Sequence, residues 1–257
     1  MATLYAKAAG GNWSAAATWS NVNSGGGDSS GPPTAADNVI FEAGSGAVTI
    51  DAASSCRSLD CTSGTGSYAG TLTHTAGFTL TIGDGTAGAG NVALKLVAGM
   101  TYAPSADTCV INFSSTSATQ QTITTAGKLL GPVTIVNVGC SYILSDSLTL
   151  RATTTQLTVT AGTFDTGNQT VSVGIFSSTT SNVRTITLCS SSITTTLNSG
   201  STSWDFTTST NMTFNAGTST VTIAGSSTFA GGGKTYNNII ITGTIVALGA
   251  SGLVCAN

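Results

Sequence analysis

The sequence predicts an all-β protein, a parallel β-solenoid (β-helix) entered through a loop-rich N-terminal cap. Three observations predict it. The phrase apolar-Thr-apolar recurs along the chain, as Val48-Thr49-Ile50, Leu80-Thr81-Ile82, Val133-Thr134-Ile135, Leu148-Thr149-Leu150, Leu157-Thr158-Val159 and Val221-Thr222-Ile223. That is the period-2 alternation of a half-buried strand. Ser and Thr make up nearly a third of the 257 residues, with 32 glycines, a supply of both strand and turn residues. No window carries a convincing 3.6-residue period.

The elements follow in order. Residues 1–37 form a leader holding two of the three tryptophans, Trp13 and Trp19, a Gly/Ser run and Pro32-Pro33. It is expected to cap the first coil or dock it on a neighbour. From Asn38 to the C-terminus the chain reads as solenoid. Strands are expected at Asn38–Glu42, Ala47–Ile50, Gly70–His74, Phe78–Ile82, Asn91–Leu96, Cys109–Phe113 and Pro132–Ile135. They continue at Ser147–Leu150, Gln156–Val159, Gln169–Val173, Val183–Leu188, Asn211–Phe214, Ser219–Ile223 and Asn238–Thr242. Three short strands with their turns predict coils of roughly 20–30 residues, stacked so that apolar positions face inward and Thr outward. A β-sandwich or jelly roll is the competing architecture. Short strands and frequent turns favour the solenoid.

Composition narrows the function classes. Only 7% of residues are charged and the net charge is −3. The seven cations, Lys7, Arg57, Lys95, Lys128, Arg151, Arg184 and Lys234, are scattered singly, so no nucleic-acid partner is expected. No run of 18 apolar residues is present, so membrane insertion is not expected. The N-terminus lacks a basic start followed by an apolar run, which reads as a chain that was trimmed or leaves its cell without a secretory signal, for instance by lysis.

Six cysteines occur, at 56, 61, 109, 140, 189 and 255, with no CxxC and a single histidine, His74. Zinc and other cofactors are not expected. Most cysteines read as small buried hydrophobes, with Cys56 and Cys61 as the candidate disulfide because they bracket one short strand.

Catalytic pairs are not marked. The carboxylates Asp28, Asp37, Glu42, Asp51, Asp60, Asp84, Asp107, Asp146, Asp165 and Asp205 lie singly beside turns, where carboxylates cap backbone N–H groups. Asp51 with Asp60, or Asp146 with Asp165, are the pairs stacking could bring to glycosidase separation. The turn Gly83–Asn91 could wrap a calcium ion through Asp84, but no ladder of Asp repeats it. Trp13, Trp19, Tyr68, Tyr102, Tyr142 and Tyr236 are the aromatics available for sugar stacking if exposed. Trp204 alternates with Phe206 and reads as core.

Several segments carry a family likeness: Gly11–Ser14, Thr18–Ser20, Gly31–Phe41, Val48–Thr62, Gly70–Gly85, Thr160–Val173, Asn211–Gly225 and Thr228–Gly243. They resemble Thr/Gly-rich β-helix virion surface proteins of tailed bacteriophages, and the leader is similar to those opening β-helix regions of bacterial adhesins. The resemblance implies no catalytic residue. It implies a structural protein on the outside of a phage particle, as capsid decoration, fibre or spike. The apolar stretches Asn238–Thr242 and Thr244–Leu248 and the scarcity of charge predict a homo-oligomer, and analogy with phage spikes makes it a trimer. Other virion proteins would be its partners, with a host-surface glycan as a further candidate. A bacterial surface adhesin segment and a glycan-degrading β-helix are the alternatives.

Overall fold

A computed structural model describes residues 2–62, 66–248 and 254–255. The protein is an all-β solenoid. Its only helical pieces among the described residues are two 3-10 turns, Ala16–Thr18 and Ala89–Asn91. Strands recur every third strand onto the same face, and the pairings between coils are parallel.

The chain winds over three faces. The first carries ten strands, from Thr3–Ala6 and Asn38–Ile40 through Ser58–Asp60 to Met212–Asn215. The third carries nine, from Ser54–Cys56 through Thr79–Ile82 to Ile245–Leu248. The second is interrupted. Four strands, Gly11–Asn12, Val48–Ile50, Thr71–His74 and Thr101–Pro104, form one sheet, and six, from Leu129–Leu130 and Leu148–Leu150 to Asn238–Ile241, form another. Register shows that coil length varies: Leu157 lies beside Phe176, 19 residues on, while Leu59 lies beside Leu94, 35 on. The extra residues loop out at corners, which leaves the ladders intact.

Alternation does what the pattern implies. Val48, Ile50, Leu80, Ile82, Val133, Ile135, Val221 and Ile223 are buried, and the Thr between each pair points outward. Each coil buries one layer of this core, and backbone hydrogen bonds to the coils above and below complete it. Aromatic residues concentrate towards the two ends. Trp13, Trp19, Phe41 and Tyr68 form a chain with centroid separations of 4.9, 6.0 and 4.9 Å. At the other end Trp204 touches Phe176, Phe206, Phe229 and Tyr236 at 4.8–6.1 Å. Such pairs add roughly 0.5–1.5 kcal/mol each beyond area burial.

The leader is part of the winding. Thr3–Ala6 pairs in parallel with Asn38–Ile40, and Gly11–Asn12 with Val48–Ile50. The outer edge of Thr3–Ala6 is then closed by Trp19–Ser20, the one antiparallel strand pair among the described residues. Trp19–Ser20 is only two residues long, and so short an edge strand offers little for another chain to pair with.

Candidate functional site

The second face is the part of the surface with features beyond regular winding. Its two sheets fail to meet between Thr101–Pro104 and Leu129–Leu130. The chain reaches Leu129 through two consecutive left-handed residues, Ala126 (φ 52°) and Gly127 (φ 72°). Asp146 holds this turn towards the following coil by accepting from the N–H groups of Thr125 (2.7 Å) and Ala126 (2.6 Å). A cleft of about 360 Å³ remains, lined by Tyr102, Pro104, Lys128, Leu129 and Arg151. Side chains cross it where backbone bonds do not. Arg151 Nη1 donates to Pro104 O at 2.8 Å, Lys128 Nζ donates to Ala98 O at 2.8 Å, and Arg151 Nε sits 3.1 Å from Asp107.

Behind the cleft lies His74, fully buried. Its Nε2 is 3.0 Å from Phe78 O and its Nδ1 is 2.8 Å from Tyr102 Oη. A carbonyl only accepts, so Nε2 carries the hydrogen and Nδ1 of the neutral ring accepts from the Tyr102 hydroxyl. Burial holds the imidazole pKa below its ordinary value, with the Phe78 carbonyl partly opposing, and burial raises that of Tyr102. Cys109 Sγ donates to His74 O, the backbone rather than the ring. The ring is satisfied on both sides by groups that fix it in place.

On the C-terminal side of the cleft the second face becomes a regular array. Thr149, Ser172, Thr194 and Thr222 are register partners in successive coils. Two residues upstream, Ser147, Thr170, Ser192 and Thr220 form a parallel column. All eight are half-exposed or exposed, while Leu148, Val171, Ile193 and Val221 between them are buried. Only one of the eight hydroxyls is engaged within the protein: Thr220 Oγ1 accepts from Asn238 Nδ2 at 3.2 Å. Hydroxyls elsewhere are often tied down, as in the buried run Thr195–Ser203–Ser227, bonded at 3.0 and 2.7 Å.

The residues singled out from the sequence are dispersed. Trp13 and Trp19 are buried in the first coil, with Trp19 Nε1 donating to Trp13 O at 2.8 Å. Pro33 is buried and Pro32 exposed. Cys56 and Cys61 are both buried free thiols, one on the third face and one at the end of a first-face strand. Burial pushes both thiols up in pKa, and the charges of Asp37 and Asp60 add to it. Cys109 and Cys140 are buried as well, whereas Cys189 occupies a left-handed turn (φ 52°), a corner rather than a strand position. Cys255 has no described side chain. The aromatics weighed for sugar stacking form no exposed surface. Trp13, Trp19, Tyr68, Tyr102, Tyr142, Trp204 and Tyr236 are all buried, because rings of this size supply the core of narrow coils otherwise built from Val, Ile and Leu.

Every carboxylate is occupied. Asp37, Glu42, Asp51, Asp60, Asp84, Asp146, Asp165 and Asp205 each accept from at least one backbone N–H, at 2.6–3.2 Å. Asp28 pairs with Lys7, and Asp107 with Arg151. Asp51 binds Ser14 of the preceding coil, while Asp60 caps Thr62 in its own turn. Asp146 faces back to Thr125 and Ala126, and Asp165 faces Gly167 and Cys189. Asp84, the residue placed to hold calcium, gives its oxygens to Arg57 and Thr86. Among the described residues no three His, Cys, Asp or Glu side chains converge as a metal site would need.

Sequence reasoning passed over Arg184. It is 1% exposed, and its hydrogen bonds go to neutral oxygens: Ser178 Oγ and O, Asn182 O, Thr208 O and Thr210 O. It clasps two corner loops of successive coils. Burial lowers its pKa from the ordinary value, yet a guanidinium stays protonated. Nothing local in Asn182-Val183-Arg184 announces this role.

No protein-family model, curated protein or solved structure matches the chain.

Proposed function

We propose that the protein is a structural element on the outer surface of a bacteriophage particle, a capsid decoration protein, fibre or spike. The observation that carries this reading is the engagement of all ten carboxylates in turns and ion pairs, which spends the chain's acidic groups on holding coils together. Together with a histidine held between two partners, it supports a structural role rather than one in acid–base chemistry. The resemblance of the leader and the Thr/Gly-rich repeats to phage virion proteins supports the location.

On this reading the chain assembles with copies of itself, as a trimer by analogy with phage spikes. Support comes from the last coils, where Ile240, Ile241 and Leu248 are 42%, 45% and 54% exposed on the outermost described strands of two faces. Apolar strand edges of this kind are normally covered. The experiment is immunogold labelling of particles from the producing lysate with antibody to the purified protein. Label on the outside of intact virions is the expected result. Label confined to cell envelopes would replace the reading with that of a surface adhesin.

A further inference from the structure

The hydroxyl array on the second face is built like a template. Neighbouring strands lie about 4.7–4.9 Å apart, and residues two apart along a strand lie about 6.6 Å apart. The eight side chains Ser147/Thr149, Thr170/Ser172, Ser192/Thr194 and Thr220/Thr222 thus form a two-by-four grid at those spacings. None is charged, and seven of the eight hydroxyls have no partner among the described residues. The backbone beneath them is fixed in a six-stranded sheet. The flanking charged residues are turned to other work: Asp146 binds the Thr125–Ala126 turn, and Arg151 binds Pro104 and Asp107.

We propose that this face binds ice. An exposed hydroxyl gains little from any single partner, because it gives up water of equal quality. The gain becomes large only when many bonds form at once without ordering either side. That demands a rigid partner with a matching period. In a tetrahedral water lattice with O···O contacts of about 2.75 Å, second-neighbour oxygens lie about 4.5 Å apart and the stacking repeat is about 7.3 Å. Both grid spacings agree with these to within roughly a tenth. Threonine adds a methyl beside each hydroxyl, so the surface holds its first water layer without the strong, disordering hydration of a charge.

A neutral polysaccharide is the other hydroxyl-rich solid, and the surface is poorly suited to it. Sugar rings are held by stacking on aromatic faces, and all three tryptophans and four of the five tyrosines are buried. A flexible glycan would also lose chain entropy for weak bonds. The inference does not depend on the virion reading, since a free protein would show the same property.

The test grows ice slowly from a dilute solution of the protein and measures the fraction incorporated, beside an inert protein of similar size. The native chain should be enriched several-fold over that reference. Thr194→Tyr with Thr222→Tyr, which raises bulk above the grid, should bring incorporation down to the reference level. Thr134→Tyr, outward on the third face, should leave it unchanged. Circular dichroism checks that each variant is folded. If the tyrosine pair is not, Thr194→Ala with Thr222→Ala removes the grid at its centre at smaller volume and should lower enrichment several-fold. Native protein excluded from ice like the reference overturns the proposal. So does equal loss in Thr134→Tyr, and so does exclusion from ice combined with retention on microcrystalline cellulose that the Thr194 and Thr222 changes abolish.

Discussion

Arg57 donates two hydrogen bonds to Asp84, from Nε at 3.0 Å and from Nη2 at 2.8 Å, across one coil of the solenoid. Arg57 is 3% exposed and its Nη1 has no partner, so the guanidinium depends on this one carboxylate. Asp84→Asn keeps the shape and removes the charge. The expected loss is roughly 1–3 kcal/mol, below the range for a fully buried pair because a fifth of the Asp84 side chain is exposed and the amide oxygen keeps a hydrogen bond. Urea denaturation of the variant beside the native protein checks it, and a loss below about 1 kcal/mol would show the pair to be well solvated.

Stability should fall in two stages as the pH drops. His74 is neutral in the fold, its pKa held below the ordinary 6.5 by burial. The unfolded chain therefore takes up a proton below about pH 6.5 that the folded chain refuses. This contribution is complete above that pH and declines as pH falls through the folded value. Asp84 acts in a lower window. Hydrogen bonds from Arg57 hold its pKa below 3.8, so its contribution is lost only as pH falls beneath that. Urea midpoints at pH 7.5 and pH 5 should differ for the native chain and converge for His74→Gln. An undiminished difference in the variant would assign the first stage to another group.

Removing residues 2–37 should lower the melting temperature by at least about 10 °C. The deletion strips two strands from the first face and one from the second, exposes the edge of Asn38–Ile40 and removes Trp13 and Trp19, packed edge to face at 4.9 Å. Losing one buried Trp alone costs about 3–5 kcal/mol. A truncated chain that melts with the full one would make the leader dispensable for the fold and leave docking as its role.

Ile240→Lys should shift the protein towards monomer in light scattering without lowering its melting temperature. The side chain is outward on Asn238–Ile241, so the charge meets solvent in a single copy and an apolar neighbour only in an assembly. A native chain that is already monomeric at micromolar concentration would remove the oligomer from the proposal.

Much of the winding was legible because apolar-Thr-apolar states both the strand and its inward face. Some of the strands that escaped notice have polar buried positions, while others, Ser141–Leu144 and Ile175–Ser177, also turn an apolar residue, Ile143 or Ile175, outward and so blur the alternation. Gln121 in Gln121–Thr124 is fully buried with Oε1 accepting from Gly88 N, and Ser203 and Ser227 point inward in Thr202–Asp205 and Ser227–Ala230. Such residues pair with polar groups in neighbouring coils, a solution that alternation of hydropathy does not display. The outward Thr ladder was expected, but its alignment over four coils on one face was not. Alignment depends on coil length, and loops at the corners change the count from 19 to 35 without marking the strands themselves. Lys128 and Arg151 carried no motif either, since what joins them is the missing stretch of ladder they span.

The interrupted second face has a mechanical consequence. At the coil that spans Thr101 to Leu130 two continuous sheets run through and the third does not, so a rod under bending stress is least stiff there. Flexure that opens the second face meets two arginine contacts and a lysine rather than a row of amide bonds. The molecule is thus divided into a short stem bearing the closed end and a longer arm bearing the hydroxyl grid, with an elastic joint between them. Pulled from its ends, the rod should yield first at this joint, and the arm should swing as one stiff body to lie flat on whatever it meets.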